Sequence, residues 1–270
     1  MSVLSITSLA NSRVKDVVRL RQRSHRDAAG QLLIEGYREI LRATEAGHPI
    51  QTLFTCPTLF LGANNEALIA RCTDQGADVI TCTKPVFEKM AYRDRPDGLI
   101  AIAPRLHRGL DTLEPPEDAF MVVAESIEKP GNLGTILRSC DAAGVDGMIV
   151  CDRCTDLGNP NVVRASVGTL FTVPVVETDT PEAIAWLAAR GIGVLAATPH
   201  AETLYTDTDM TGPLAIVVGA EQTGLSSQWM EAATYRVRIP MHGHADSLNV
   251  ATATTILLYE VVRQRQGKRG

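Results

Sequence analysis

The 270-residue sequence lacks several features that would each define a class of protein. It has no uninterrupted apolar run of about 18 residues, so it predicts no transmembrane helix. The N-terminal stretch has no basic segment followed by an apolar one and is unlike a secretory signal, so we expect a cytoplasmic protein. The glycine-containing loops match neither GxGxxG nor GxxxxGKS/T, which disfavours a nucleotide-dependent oxidoreductase and a phosphate-cradling NTPase.

Cysteine is scarce, and the six cysteines are too irregularly spaced for a disulfide framework. Cys151 and Cys154 form a CxxC, but no second CxxC or spaced Cys/His pair completes a zinc site. A redox CxxC lies at a helix N-terminus, which lowers a thiol pKa, whereas this pair follows the apolar run 147–150. We interpret the pair as a turn at the end of a strand and expect no metal.

Basic residues are unevenly distributed, although the formal net charge is −5. Between residues 11 and 26, six basic side chains stand against the single acid Asp16. A local patch of this kind attracts phosphates even when the total charge is negative. A solvated helix face explains the cluster equally well. Both interpretations stay open on the basis of charge alone.

The N-terminal part of the chain alternates between helical and extended patterns. A capped helix is predicted over 11–24, with further helices over 37–47 and 84–92. Strands are predicted over 31–36, 51–56, 77–83 and 98–104. The polar, aperiodic segment 105–118 contains two adjacent prolines and is typical of a linker. We therefore predict a domain over 1–104 and a linker over 105–118.

From residue 119 onwards, continuous apolar strands alternate with helices. The strands are predicted over 120–125, 147–152, 172–177, 193–198, 214–221 and 235–241. Strands of this kind belong to a parallel sheet that is buried on both faces. The sequence thus predicts a second α/β domain over 119–270, with helices on each side of the sheet.

Ligands of such sheets bind beyond the carboxyl ends of the strands, so the loops there are the candidates for a site. The first candidate loop, 125–138, contains Asn132 and Arg138. Because a helix is expected from about Leu133, Asn132 stands at its N-cap position. Arg138 follows on the second turn, where part of its stem is expected to be buried. A surface ion pair is the alternative for Arg138.

The second candidate loop, 218–226, begins where a strand runs into Gly219, and Glu221 follows two residues later. A functional carboxylate and a simple helix cap are equally acceptable interpretations of Glu221. The third candidate loop lies within RIPMHGHADSLNVA (238–251), between an apparently buried strand and an apolar helix. A loop in that position can enclose a flat apolar ligand such as adenine through backbone groups.

The histidines of the third loop, His242 and His244, are followed by Asp246 at the same spacing. A metal site would need a further ligand to converge on this loop, and the other histidines offer no ready partner. We therefore expect the loop to bind an organic ligand and leave the role of the two histidines open.

Three segments, taken in order, strongly resemble the three motifs of the SpoU (TrmH-like) family of SPOUT RNA methyltransferases. They are NLGTILRSCDAAG, IVVGAEQTGLS and IPMHGHADSLNVATATTILLYE. The resemblance covers 119–270. The N-terminal region is similar, through LLIEGYREI and PVFEKMAYRDRPDGLIAI, to the small ribosomal-protein-like RNA-binding domain often attached to that family. The resemblance implies a parallel sheet with a deep trefoil knot, a homodimer and S-adenosylmethionine as cofactor.

The implied reaction is methylation of a ribose 2′-hydroxyl, with ribosomal RNA as the expected substrate and transfer RNA as the alternative. A non-catalytic RNA-binding or ribosome-assembly module of the same fold is a further alternative. Carried over from the family, the catalytic positions are Arg138, Asn132, Glu221, Ser247 and Asn249. The cofactor positions are Gly219, Ile239, Met241 and Leu248. We expect RNA to bind Arg13, Arg19, Arg21, Arg23 and Arg164. Whether Arg138 acts as general base or as phosphate anchor stays open.

Overall fold

The computed structural model describes residues 4–106 and 108–267. The chain divides into two compact units. The first unit comprises Met1–Leu106 with Asp156–Thr172, and the second comprises His107–Thr155 with Val173–Gly270. This division differs from the predicted boundaries mainly in Asp156–Thr172, which the sequence analysis included in the C-terminal domain. The segment groups with the first unit because its helix packs against a strand there.

The first unit is built on a five-stranded mixed sheet. Its strands are β1 (Leu4–Ile6), β2 (Gln31–Glu35), β3 (Thr52–Thr55), β4 (Asp78–Cys82) and β5 (Leu99–Pro104), in the order β1-β4-β3-β5-β2. β4 is parallel to both neighbours, whereas β5 is antiparallel to β2 and β3. The four predicted strands are confirmed, and the three-residue β1 is additional.

The helix predicted over 11–24 is in fact two helices, so that prediction was wrong. The helices of this part are α1 (Ser12–Arg19), α2 (Arg23–Ala29), α3 (Tyr37–Glu45), α4 (Asn65–Asp74) and α5 (Lys84–Met90). The predicted cap is present, since the Asn11 side chain accepts the Arg13 N–H at 2.9 Å. The helix breaks after α1 because the guanidinium of Arg26, and not later N–H groups, donates to the carbonyls of Leu20 and Arg21.

The second unit contains a seven-stranded parallel sheet. Its strands are β6 (Phe120–Glu125), β7 (Gly147–Cys151), β8 (Val175–Thr178), β9 (Gly193–Ala197), β10 (Thr203–Leu204), β11 (Leu214–Val218) and β12 (Tyr235–Arg238), in the order β10-β12-β9-β11-β6-β7-β8. Every pair of neighbours is parallel. The central strands β6, β7 and β11 are buried throughout, as expected for a sheet covered on both faces.

The strand before the third loop is less buried than predicted. In β12 only Val237 is buried. The reason is its position, because β12 has only the two-residue β10 beyond it at the edge of the sheet. The expectation that the third loop follows a buried strand was therefore wrong.

Helices pack against this sheet in two pairs. The remaining α-helices of the described residues are α6 (Pro130–Ala143), α7 (Pro160–Ala165), α8 (Thr180–Ala189), α9 (Ser227–Ala232) and α10 (Val250–Gly267), of which α7 belongs to the first unit. α8 and α9 cover one face with a cluster that includes Trp186 and Trp229. α6 and α10 pack on each other and contact β7 and β11 respectively. Over the two described ranges, no helix is both long and apolar enough to cross a membrane.

Candidate active site at the carboxyl ends of the strands

Three loops of the second unit leave the carboxyl ends of β6, β11 and β12. β6 and β11 are neighbours in the sheet, and only β9 separates β11 from β12. Because all the strands are parallel, the three loops lie at the same edge of the sheet. These are the loops that the sequence analysis selected.

A chain of side-chain hydrogen bonds joins the three loops. Asn249 Nδ2 donates to Asn132 Oδ1 at 3.1 Å. Asn132 Nδ2 in turn donates to Glu221 Oε1 at 2.5 Å. One residue comes from each loop, so the structure brings together three of the five predicted catalytic residues.

The direction of donation along this chain is fixed at its α10 end. The Oδ1 of Asn249 accepts the Ala251 N–H at 3.0 Å and so caps α10. A backbone N–H can only donate, so the Asn249 oxygen must face it and the amide nitrogen must face Asn132. The same reasoning orients Asn132, whose nitrogen then faces Glu221. The chain therefore ends on a carboxylate that only accepts.

Glu221 is held in its charged form. Burial would by itself raise its pKa, but the Asn132 side chain and the backbone amides of Glu221, Glu128 and Lys129 donate to it and together lower the pKa. Glu221 does not cap the helix that follows, since α9 starts at Ser227 with Ser226 as its N-cap residue. The interpretation of Glu221 as a helix cap was wrong.

Asn132 is not a helix cap either, which corrects the prediction. α6 begins at Pro130, three residues earlier than expected, and Lys129 occupies the N-cap position without a side-chain cap. Proline at the first helical position has its φ angle already set for a helix. Asn132 therefore lies inside the first turn, where its side chain is available to Glu221 and Asn249.

Gly219 lies at the start of a tightly folded loop. A Cβ atom at this position would lie 2.3 Å from the Gly224 carbonyl oxygen and 2.6 Å from the Leu225 nitrogen. The loop returns on itself because the Gly224 N–H donates to the Ala220 carbonyl at 2.9 Å, with a φ of +70° at Gly224. The loop thus requires glycine at 219, and the role of Gly219 in cofactor binding stays a prediction.

The third loop exposes both apolar side chains and backbone groups. Ile239 and Met241 are half-buried, and Leu248 is 36% exposed. Within the part of the chain that the structure describes, residues 239–248 make no backbone–backbone hydrogen bond. Apolar side chains beside unpaired backbone donors and acceptors fit a flat ligand with a polar edge, such as adenine.

The other polar residues of the third loop are exposed. They are His242, His244, Asp246 and Ser247. Among the described residues there is no group of three or more His, Cys, Asp or Glu side chains that could hold a metal ion.

Arg138 is exposed on α6, and the partial burial of its stem stays a prediction. Within residues 4–106 and 108–267 its guanidinium has no hydrogen-bond or ion-pair partner, so the alternative of a surface ion pair is not observed. It follows Asn132 by six positions and therefore points to a different side of the helix. Within a single polypeptide, Arg138 therefore does not contact the hydrogen-bonded residues Asn249, Asn132 and Glu221.

Most of the predicted RNA-binding arginines are exposed. Arg13, Arg19 and Arg23 lie on α1 and α2, and Arg164 lies on α7. Arg21 differs, because its Nη2 donates to two backbone carbonyls near the end of α5, Lys89 at 2.9 Å and Ala91 at 2.6 Å. Arg21 thus has a structural role that its sequence context did not indicate.

The CxxC pair has the predicted structure of a strand end followed by a turn. Cys151 is the last residue of β7 and is buried, whereas Cys154 is exposed. Burial raises the pKa of the Cys151 thiol to about 12. Cys151 is therefore a protonated thiol at neutral pH, unlike the thiolate of a redox motif.

One functional candidate was missed by the sequence analysis. Glu125 ends the otherwise apolar strand β6, is 5% exposed, and accepts the Ser226 N–H at 2.8 Å. The signal in the sequence was a carboxylate at the end of a continuous apolar run, where side chains point into the sheet layer or the site above it.

Comparison with known proteins identifies the family. Residues 119–259 match the SpoU rRNA Methylase family. The chain belongs to this family. Residues 11–101 of this SpoU protein match the MRM3-like substrate binding domain.

Similar proteins match the SpoU protein over nearly its whole length. A 23S rRNA (uridine(2479)-2′-O)-methyltransferase of Streptomyces viridochromogenes is 34% identical over 255 residues, which cover 91% of this chain and 87% of that protein. A crystal structure of an RNA 2′-O ribose methyltransferase has a TM-score of 0.86 and 40% identity, covering 97% of this chain and 100% of that one. An AdoMet-bound rRNA methyltransferase from Sinorhizobium meliloti has a TM-score of 0.89 and 34% identity, covering 97% and 98%.

Proposed function

We propose that this SpoU protein transfers a methyl group from S-adenosylmethionine to a ribose 2′-hydroxyl of ribosomal RNA. The observation that carries the proposal is the directed hydrogen-bond chain from Asn249 through Asn132 to Glu221. It joins one polar residue from each of the three motif loops. The similar 23S rRNA 2′-O-methyltransferase of Streptomyces viridochromogenes supports the substrate class, and the similar AdoMet-bound rRNA methyltransferase supports the cofactor.

The third loop supplies groups that suit the proposed cofactor. Ile239, Met241 and Leu248 offer apolar contacts, and the unpaired backbone groups of 239–248 offer hydrogen bonds to an adenine edge. Gly219 would contribute its backbone beside them. When bound, S-adenosylmethionine supplies an electrophilic methyl group.

The residues of the chain must hold the ribose hydroxyl in line and help it to lose its proton. The Asn249–Asn132–Glu221 chain gives the site a fixed set of donors and a carboxylate that is charged at neutral pH. Ser247, exposed two residues before Asn249, can hydrogen-bond the nucleotide. Such pre-oriented groups favour reaction because they need no rearrangement when charge develops.

Arg138 serves in this proposal as the anchor of a phosphate next to the reacting ribose. A guanidinium stays protonated in proteins, and its fork of N–H groups matches phosphate oxygens. The exposed, unpaired state of Arg138 in the described structure suits this role better than that of a general base. Arg164 on α7 is proposed as a further phosphate contact.

The proposal includes the finer features that the family resemblance implies. They are a deep trefoil knot in the domain 119–270, a homodimer, and a cytoplasmic location. They also include an RNA-binding domain over 1–104, joined by the linker 105–118, which binds RNA through Arg13, Arg19 and Arg23. The match of residues 11–101 to a substrate binding domain supports this last assignment.

The test is incubation with methyl-labelled S-adenosylmethionine and either ribosomal or transfer RNA, followed by alkaline hydrolysis. Alkali cleaves RNA through the 2′-hydroxyl, so a 2′-O-methylated residue survives in a labelled dinucleotide. We expect that product from ribosomal RNA. Label in mononucleotides would mean base methylation, and binding of the cofactor without label in either RNA would mean a non-catalytic module. Both results contradict the proposal.

The role of Arg138 has its own test. Arg138→Ala should abolish methyl transfer while the affinity for S-adenosylmethionine, measured by calorimetry, stays within a few-fold. Arg190→Ala is the control, because Arg190 is an exposed arginine next to the start of β9, at the opposite edge of the sheet. Equal losses of transfer and cofactor affinity would show that Arg138 does not act as an RNA anchor.

A further inference from the structure

Among the residues that the structure describes, the buried carboxylate of Glu125 has two hydrogen-bond partners, and neither is a cation. Its Oε2 accepts the Ser226 N–H at 2.8 Å, and its Oε1 accepts the Thr180 hydroxyl at 3.3 Å. Burying a carboxylate costs free energy unless its oxygens are hydrogen-bonded. A strand end in a parallel sheet does not need a carboxylate for packing. The groups that Glu125 hydrogen-bonds are therefore the place to look for its role.

Both hydrogen-bond partners of Glu125 are connected to α9. Ser226 is the residue immediately before that helix. Thr180, the first residue of α8, accepts a hydrogen bond from Trp229 Nε1 at 3.2 Å. Trp229 is a fully buried residue of α9. Glu125 is therefore tied to the backbone at the start of α9 and, through Thr180, to the largest side chain of that helix.

The start of α9 depends on Glu125 because its own cap is incomplete. Ser226 makes no side-chain cap hydrogen bond. Within the described residues its hydroxyl is buried without a partner. Helix N-termini leave backbone N–H groups that need an acceptor, and a carboxylate is a strong one. Here the acceptor comes from a different strand and not from the local sequence.

This arrangement holds one end of the loop that carries Gly219 and Glu221. The loop leaves β11, which is paired with β6 and β9, so its first end is fixed by the sheet. Its second end enters α9 at Ser226, which Glu125 holds from the end of β6. Between the two ends the loop is closed by the bond from Gly224 N–H to the Ala220 carbonyl.

We propose that Glu125 is a positioning residue for the loop 219–225. Acting through Ser226 and Thr180, it sets the place of the Glu221 carboxylate and of the Gly219 backbone. It contacts neither the reacting atoms nor RNA in this role. The inference deepens the proposed function, and its cofactor readout depends on that function.

The test compares Glu125→Ala with Glu125→Gln in the full chain. Alanine removes the acceptor of the Ser226 N–H, whereas glutamine keeps an oxygen for it and can donate its amide to Thr180. We expect Glu125→Ala to raise the dissociation constant for S-adenosylmethionine at least about tenfold, the effect of losing one charge-assisted hydrogen bond. We expect Glu125→Gln to stay within a few-fold of the unaltered protein. Glu182→Ala, an exposed glutamate of α8, is the control.

A second readout does not use the cofactor. Amide hydrogen exchange of peptides covering 219–232 should accelerate in Glu125→Ala and not in Glu125→Gln, while peptides from α5 stay unchanged. Thr180→Val, which removes one of the two connections, should give a smaller acceleration in the same peptides. This milder variant keeps the test possible if Glu125→Ala does not fold.

The outcomes separate the two proposals. If the unaltered protein binds no S-adenosylmethionine, the proposed function fails, and the exchange data alone decide the role of Glu125. If Glu125→Ala is folded and keeps both the cofactor affinity and the exchange of 219–232, the positioning role is overturned. A lower melting temperature with unchanged affinity and unchanged exchange in 219–232 means that Glu125 only stabilises the fold, which also overturns it.

Discussion

The buried ion pair between Arg26 and Asp156 gives the first prediction. Arg26 Nη2 lies 2.8 Å from Asp156 Oδ2, and the two side chains are 1% and 4% exposed. The guanidinium also donates to the carbonyls of Leu20 and Arg21. The pair joins α2 to the segment Asp156–Thr172 within the first unit. We predict that removing either partner alone destabilises the protein strongly.

The magnitude follows from burial. The gross attraction of two unit charges at 2.8 Å is about 6 kcal/mol at an effective dielectric constant of about 20, and desolvation offsets much of it. Removing one partner leaves the other charge buried and unpaired, which costs about 3–5 kcal/mol. That is a large part of the total stability of a typical domain, about 5–15 kcal/mol.

Replacing both partners should cost far less. In the described structure Arg26 Nε and Asp156 Oδ1 are buried without a partner, so the pair is imperfectly satisfied. We expect Arg26→Met with Asp156→Leu to cost clearly less than the sum of the two single changes, because no charge is left unpaired. A residual cost is expected, because the carbonyls of Leu20 and Arg21 lose their donor. The two single changes should therefore be strongly non-additive.

The assay is urea unfolding of the full chain followed by far-ultraviolet circular dichroism. Arg23→Met is the matched control on the same helix, because Arg23 lies 3.6 Å from Asp27 and the two side chains are 43% and 40% exposed. An exposed pair of this kind contributes less than about 1 kcal/mol. Single changes at Arg26 and Asp156 that cost no more than this control, or a double change that costs their sum, would refute the reasoning.

The same contact decides how RNA binding should be tested. Deleting 1–104 would remove Arg26 and leave Asp156 without its partner, so a loss of RNA affinity in the truncated protein would be ambiguous. Alanine variants of the exposed Arg13 and Arg19 avoid this problem. If each contacts a phosphate, each variant should reduce the slope of log affinity against log salt by about 1. An unchanged slope would discard the assignment.

Three further predictions concern the second unit. Gly219→Ala should weaken cofactor binding measured by calorimetry, because its Cβ would lie 2.3 Å from a backbone oxygen, whereas Gly212→Ala, with open space around it, should not. The pKa of Glu221 is lowered from 4.5 in the folded protein, so the hydrogen bonds to its carboxylate contribute their full stability above about pH 4.5. This stability is lost as the pH falls through the folded pKa. The melting temperature should therefore fall less steeply from about pH 5 to 3 in Glu221→Gln than in the unaltered protein. A thiol reagent at neutral pH should modify Cys154 in the folded protein and leave the buried Cys151 unmodified, as peptide mass spectrometry would show.

Local patterns were sufficient to predict the elements and the loops of the second unit. Its six longer strands were predicted from continuous apolar runs, which a sheet buried on both faces requires, although β12 is less buried than that reasoning implies. The motif loops were located because glycine and polar residues following such runs are not needed for packing. The family resemblance then supplied roles for residues such as Asn132 and Glu221 that their chemistry alone left open.

Helix boundaries were harder to predict where distant residues replace local hydrogen bonds. The break between α1 and α2 is stabilised by a guanidinium that bonds two carbonyls, and Arg26 looked like one more basic residue of a solvated face. The prediction of Asn132 as an N-cap was wrong for a related reason. Its side-chain amide hydrogen-bonds Glu221 and Asn249, two residues that lie outside α6.

The sequence by itself determined the parallel α/β architecture of the second unit, the loops that carry its motifs, and the family. Only the tertiary structure decided which polar groups meet. Asn132 bonds Glu221 across 89 positions and Asn249 across 117, and Arg26 bonds Asp156 across 130. Periodicity reports on neighbours within a few residues, whereas these bonds form only after the sheet order has set which strand ends lie side by side.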